Sequence, residues 1–128
     1  NGIVVGTGNK VEDFGVGFFT KYGDGGVDIS PIADLMKSEV YSIAKNLSIG
    51  KEIINAPPTD GLWDDRRTDE DQLGISYKDL EWAMKWFESH DDNDDDLLSA
   101  KQYDIINIYR KHRSANMHKM KDIPIFKK

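Results

Sequence analysis

Apolar residues recur along the chain in two rhythms, one of strands and one of helices. Ile3-Val4-Val5 is a short β-branched run broken by Gly6-Thr7-Gly8, the pattern of a buried strand in a parallel sheet. Such a strand needs neighbours on both sides, and few strand-like runs follow it. The chain is therefore expected to be a C-terminal piece of a larger α/β domain. Asn9 to about Val16 predicts a short helix with Gly15 and Gly17 near its end. Ser30-Pro31 reads as a helix start, an N-cap serine followed by proline at the first helical position. Ile32, Leu35, Met36, Val40, Ile43, Ala44 and Leu47 then fall at helical spacing, which predicts a helix over about 31–48. A short helical turn is expected over 51–55, ended by Ala56-Pro57-Pro58.

Residues 59–75 are polar, with Leu62 and Trp63 as the large apolar exceptions. They read as a loop tacked to the body by that pair. Ser76-Tyr77-Lys78-Asp79 resembles a capping box with Asp in place of Glu and should open a helix over 77–89. Asp91-Asp92-Asn93-Asp94-Asp95-Asp96 follows as a polar linker. A last helix is expected over about 98–114, with Ile105, Ile106 and Tyr109 on one face, and the tail after it holds His118, Lys119 and Pro124. Between the first two helices, residues 21–28 (Lys-Tyr-Gly-Asp-Gly-Gly-Val-Asp) are too glycine-rich for regular structure. They form a loop whose backbone can approach a ligand closely.

Composition narrows the function. The 128 residues contain no cysteine, which excludes a disulfide scaffold, a cysteine–zinc site and a thiol nucleophile, and fits a cytoplasmic address. No run approaches the roughly 18 apolar residues of a membrane span. The formal net charge of −6 disfavours general binding to nucleic acid or to an anionic membrane. The charge is uneven. Residues 101–128 carry eight Lys or Arg against two Asp, a net of +6, while residues 1–100 carry nine against 21, a net of −12. A basic C-terminal surface could meet phosphates.

Several clusters could carry chemistry. Calcium binding by the 91–96 run fails on spacing: with Asp91 at loop position 1, Asp96 stands where glycine is needed and Gln102 where a bidentate Glu is needed. A solvated linker is the better reading. His90, His112 and His118 lack the spacing of zinc ligands. Gly6-Thr7-Gly8 after a strand could cradle an anion, and Glu12 five residues beyond Thr7 would suit a nucleotide and its magnesium. Lys21, Asp24 and Asp28 lie in the glycine loop, and Lys37 on the helix after it. An ammonium about 4 Å from a phosphate charge gains about 4 kcal/mol at an effective dielectric of about 20.

Longer stretches are more specific. Val5-Gly6-Thr7-Gly8-Asn9-Lys10-Val11-Glu12, residues 17–31 from Gly17-Phe18-Phe19-Thr20-Lys21 to Ser30-Pro31, Leu35-Met36-Lys37, Ala56-Pro57-Pro58-Thr59-Asp60-Gly61-Leu62, residues 68–77 from Thr68-Asp69-Glu70 to Ser76-Tyr77, and His118-Lys119 together resemble the NAD synthetase family over nearly the whole chain. The resemblance implies an adenine-nucleotide alpha hydrolase-like parallel-sheet domain, mostly helical in this part, and a homodimer. It implies synthesis of NAD from deamido-NAD, ATP and ammonia. A carboxylate cannot lose oxide to ammonia. It would therefore first attack the α-phosphorus of ATP, releasing pyrophosphate, and ammonia would then displace AMP. Two anions meet in the first step, so cations, Mg2+ among them, must neutralise the developing charge.

Residue by residue, the resemblance implies that Thr7, Lys37 and Thr59 contact ATP, that Lys21, Asp28, His118 and Lys119 contact deamido-NAD, and that Glu12 is the magnesium ligand. One extra residue between Glu12 and Phe18 leaves Asp13 as a second candidate for the metal. The family's Ser-Gly-Gly-x-Asp-Ser pyrophosphate loop has no counterpart in residues 1–128. This implies that the N-terminal part of the domain is missing and that the piece alone is inactive. Three alternatives stand beside this reading: a glutamine-dependent member of the family, a related ligase such as GMP synthetase, and a non-catalytic subunit-contact module. The Lys21–Gly26 loop and the His118-Lys119 pair argue against GMP synthetase.

Overall fold

The computed structural model describes residues 1–90 and 98–128, so the acidic run 91–96 lies outside the described residues. Its regular structure is helical. A π-helix spans Lys10–Val16, followed by α1 Lys37–Asn46, α2 Lys51–Ile54, α3 Asp69–Leu73, α4 Tyr77–Ser89 and α5 Ala100–Met120. The expected parallel sheet is reduced, among the described residues, to one parallel bridge between Val5 and Ile29. Its hydrogen bonds run from Gly6 N to Ile29 O (2.7 Å) and from Asp28 N to Val4 O (2.9 Å). Ile3 is 64% exposed, and Val4 and Val5 are exposed with it, contrary to the buried strand expected. With one neighbour instead of two, the run cannot be enclosed.

The core forms where the π-helix, α4 and α5 meet. Val11 and Val16 of the π-helix pack with Leu80, Ala83 and Met84 of α4 and Ile105, Ile106 and Tyr109 of α5. These positions recur at helical spacing on α4 and α5, so each helix turns one apolar face inward. Leu80, Val11, Val16 and Ile106 are wholly buried, and each contributes about 1.5–3 kcal/mol by leaving water. Phe87 stacks on Tyr109 at 5.1 Å between ring centroids.

Local signals set most helix starts. The Ser76 hydroxyl accepts from Asp79 N (3.1 Å), as the cap predicts, but the Asp79 carboxylate accepts from the Ser76 hydroxyl (2.8 Å). The Ser76 segment is instead tied down by Glu70, which accepts from Tyr77 N at 2.7 Å. At Ser76 the Asp79 carboxylate is taken up by the serine hydroxyl, so the box stays half-formed. Thr68 and Asp71 form a full capping box that starts α3, a helix inside the stretch expected to be loop.

Three expectations fail for tertiary reasons. The helix foreseen from Pro31 begins only at Lys37. Residues 31–35 make isolated turns, the Leu35 carbonyl turns to accept from Lys10 N (2.8 Å), and Met36 stays extended and buried. The apolar face of α1 is largely open, with Leu47 70% exposed. Leu62 (79% exposed) and Trp63 (51%) anchor nothing; Trp63 instead carries the Arg67 guanidinium over its ring at 4.5 Å. The anchors of this segment are Leu73, Ile75 and Tyr77, all buried. Finally, α5 runs six residues past its expected end, so His118 and Lys119 sit on a helix and not in a tail.

Candidate active site

The π-helix places its acidic residues by capping. The Asn9 side chain accepts from Glu12 N (3.1 Å), and Asn9 Nδ2 donates back to Glu12 Oε2. At the other end Gly17 adopts the left-handed conformation (φ 64°), and a Cβ there would come within 2.6 Å of Asn116 Cβ. Only glycine closes the helix in that space. The helix thereby turns Glu12 and Asp13 into a cleft of about 330 Å3. Thr7, Gly8, Phe18, Asp24, Lys37, Pro58, Thr59, Asp60 and Asp69 also line it. Of the residues expected from sequence, Thr7, Glu12, Asp13, Lys37 and Thr59 meet here, drawn from four separate segments.

Lys37 reaches the cleft because Glu81 fixes the start of α1. The buried Glu81 carboxylate accepts from Ser38 N (2.8 Å) and from the Ser38 hydroxyl (2.7 Å), a carboxylate at a helix N-terminus. Lys37 Nζ then lies 2.8 Å from Glu12 Oε1 and 4.7 Å from the centre of the Tyr77 ring. Glu12 and Lys37 side chains are only 13% and 20% exposed, so water screens the pair little. Tyr77 Oη also donates to Glu12 Oε1 and lies 3.1 Å from Asp69 Oδ2. A phenol carries one proton and can serve only one of the two carboxylates at a time.

The cleft holds more negative charge than Lys37 balances. Burial, then the charges of Glu12 and Asp24, push the Asp13 carboxyl up from 3.8 to about 6. Asp69 is also raised, by burial first, against the opposing Tyr77 hydrogen bond and with help from Glu12. Tyr77 is pushed up by burial and by its bond to Glu12. Asp69 Oδ1 is buried without a partner. These observations fit a hard divalent cation such as the magnesium implied by the resemblance. Among the described residues no three acidic or histidine side chains could hold an ion by themselves. Magnesium does not require that, since it commonly takes one or two carboxylates and completes its shell with phosphate oxygens and water. Glu12 Oε1 already has two donors, Lys37 and Tyr77, so Oε2 is the oxygen of Glu12 with a lone pair to spare.

Lys21, His118 and Lys119 gather elsewhere, in a hollow of about 500 Å3 shared with Phe19, Thr20, Tyr22, Ile123 and Pro124. The Phe18-Phe19 stretch separates hollow from cleft, and a third depression that includes Asp24, Asp60 and Lys119 runs along it. Asp28 lines neither: its carboxylate accepts from Val4 N at 2.7 Å. Thr59 Oγ1 donates to the Arg67 carbonyl (3.1 Å), which shapes the rim of the cleft. His112 is a half-buried structural group whose Nε2 lies 2.9 Å from the Leu73 carbonyl, and His90 stacks on Trp86.

Asn9, Asp69, Tyr77 and Glu81 were not singled out from sequence. Asn9, Asp69 and Tyr77 stand within stretches that carried the resemblance, but no spacing rule links Tyr77 to Glu12 across 65 residues. Nothing in the sequence marks Glu81, which is one more acid on an amphipathic helix.

The family model for NAD synthase matches residues 1–123. The NH(3)-dependent NAD(+) synthetase of Archaeoglobus fulgidus is 48% identical over 96 residues, 75% of this chain and 38% of that protein. The enzyme of the same name from Methanosarcina acetivorans is 38% identical over 98% of this chain and 48% of its own length. Among solved structures, NMN synthetase from Francisella tularensis superposes with a TM-score of 0.71 at 34% identity, covering 96% of this chain and 46% of that one. NH3-dependent NAD synthetase from Campylobacter jejuni, in complex with nitrate, gives 0.67 at 28% identity, covering 99% and 46%. The chain thus spans less than half the length of each of these proteins.

Proposed function

This chain belongs to the NAD synthase family, and from that premise we propose that it is the C-terminal part of an ammonia-dependent synthetase that amidates deamido-NAD with ATP. The observation that carries the reading is the convergence of Thr7, Glu12, Lys37 and Thr59 on one charged cleft, beside a hollow that holds Lys21, His118 and Lys119. These are the residues for which the resemblance implied ATP, magnesium and deamido-NAD contacts. Ammonia, not glutamine, as the nitrogen donor is supported by the names of the curated relatives.

In this reading the cleft takes the triphosphate and the hollow takes the nicotinate end of deamido-NAD. Lys37, at the start of α1, offsets phosphate charge as the nicotinate carboxylate attacks the α-phosphorus. Bond formation to phosphorus expels pyrophosphate and leaves an acyl adenylate. Attack by ammonia at the carboxyl carbon then expels AMP and, with loss of a proton, yields the amide. Glu12, with Asp13 as the alternative, would hold magnesium, whose chemistry is to spread the charge of the departing pyrophosphate. Thr59, fixed by the Arg67 carbonyl, and Thr7 line the wall against which the nucleotide would lie. Asp28, which the resemblance assigns to deamido-NAD, borders neither space here and holds the Val4 backbone N–H. A homodimer with magnesium as cofactor and a cytoplasmic location complete the proposal; among the described residues no helix is long and apolar enough to cross a membrane.

The likeness to an NMN synthetase motivates a second substrate, nicotinate mononucleotide. Incubating the full-length parent with ATP, Mg2+ and ammonium, and with deamido-NAD or nicotinate mononucleotide in parallel, tests both. The expected result is NAD from deamido-NAD, with AMP and pyrophosphate in equal amounts. Preferential amidation of the mononucleotide would replace the substrate, and no amidation of either would overturn the activity. The 128-residue chain alone is expected to give no turnover.

A further inference from the structure

Lys21 and Lys119 were assigned to ligand contact, yet both ammonium groups are already engaged. Lys21 Nζ donates to the His118 carbonyl (2.7 Å) and reaches the Lys121 carbonyl (3.4 Å). Lys119 Nζ donates to the carbonyls of Gly17 and Phe19, each at 2.8 Å, and lies 5.6 Å from the centre of the Phe19 ring. Each lysine therefore grips the backbone of the segment that carries the other, across about 100 residues of sequence. The physical need is plain at both ends. His118 O lies in the last turn of α5, and Gly17 and Lys121 cap the π-helix and α5, so these carbonyls lack intrahelical partners that a cation can replace; Phe19 O lies beyond the helix. Asn116 and Arg113 extend the seam, donating to Val16 O (2.9 Å) and to Phe14 O and Gly15 O (2.8 Å each).

We propose that Lys21 and Lys119 form a reciprocal clasp that positions the His118-bearing end of α5 over the hollow before any ligand arrives. Their function is then positioning, exerted through the backbone that presents His118, whose ring stays exposed in the hollow. The proposal rests on the reading above only in treating the hollow as a ligand site.

The test uses the full-length parent without ligand. Amide hydrogen exchange is measured for Lys21→Met, Lys119→Met, Lys21→Arg and the wild type. A clasp predicts that either Met substitution speeds exchange in both 17–21 and 117–121 by about tenfold or more, with 80–86 unchanged. It also predicts that the His118 ring resonance moves in Lys21→Met while those of His90 and His112 do not, and that Lys21→Arg restores it. Unchanged exchange, or loosening confined to the substituted segment, would overturn the clasp. Should a Met variant unfold, amine acetylation of the wild type decides. Lys21 and Lys119 should react at least about fivefold more slowly than Lys127 and Lys128, and equal rates would defeat the proposal. Deamido-NAD binding by the full-length parent is a separate readout. Its absence with the exchange pattern intact would discard the functional reading and keep the clasp.

Discussion

The acid-lined cleft and the hollow beside it meet at Phe18-Phe19, yet they dispose of charge in opposite ways. In the cleft, ionisable side chains face one another: Glu12, Asp13, Asp24, Asp60 and Asp69 share the space with one lysine. Their surplus appears as a raised Asp13 and an unpartnered Asp69 oxygen. In the hollow, the ammonium groups of Lys21 and Lys119 are satisfied by backbone carbonyls. The cleft thus keeps acidic charge that its one lysine does not balance, whereas the ammonium groups of the hollow are already met. Substitutions in the cleft should therefore read out through charge, and those in the hollow through backbone order.

The sharpest way to break that contrast is Glu12→Gln in the full-length parent. It keeps the shape of the side chain and removes the charge that Lys37 and Tyr77 face. The expected loss is about 10²–10³ in kcat, the scale of removing one preorganised electrostatic partner. A rate within about twofold of wild type, measured as NAD formed, would make Glu12 a structural group.

Tyr77→Phe comes next. The ring under Lys37 stays, but the hydroxyl between Glu12 and Asp69 goes, and with it the Tyr77 contact to Asp69 Oδ2. A loss of about 1–2 kcal/mol in urea unfolding is expected. The Asp69 carboxyl should also titrate higher by NMR, because the bond that opposed its upward shift is gone.

Asp13→Asn should give the smallest effect and the one of opposite sign. The folded state raises the Asp13 carboxyl from 3.8 to about 6, so between those values the folded chain holds more protons than the unfolded one. Stability from this group therefore falls as pH rises through that window and stays lowered above it. Asp13→Asn should be slightly more stable than wild type at pH values near 8. The gap should close as pH drops toward 4. Millimolar magnesium should shrink it if Asp13 faces the ion. Urea midpoints across pH check the sign.

Legibility from sequence followed locality. Ser76 marked the start of α4, and Asn9 and Gly17 bracketed the π-helix, because caps and left-handed glycines act within a few residues. The inward face of α5 was readable from the spacing of Ile105, Ile106 and Tyr109. Pro31 misled because Leu35 spends its carbonyl on Lys10, a partner 25 positions upstream. Leu62 and Trp63 misled because hydrophobicity alone does not say what will be near enough to cover it. Glu12, Lys37 and Thr59 were named through family stretches, and the geometry that joins them could not be.

What the sequence determined by itself was the set of short-range decisions: where most helices start, which faces are apolar, and the motif stretches that carry family membership. The tertiary structure decided which side chains share charge. Tyr77 reaches Glu12 over 65 residues, Glu81 fixes Ser38 over 43, and Lys21 meets the His118 carbonyl over 97. The reason is physical: capping depends on neighbouring dihedrals, whereas a carboxylate's charge and an ammonium's partners depend on what the packed core brings within about 3 Å.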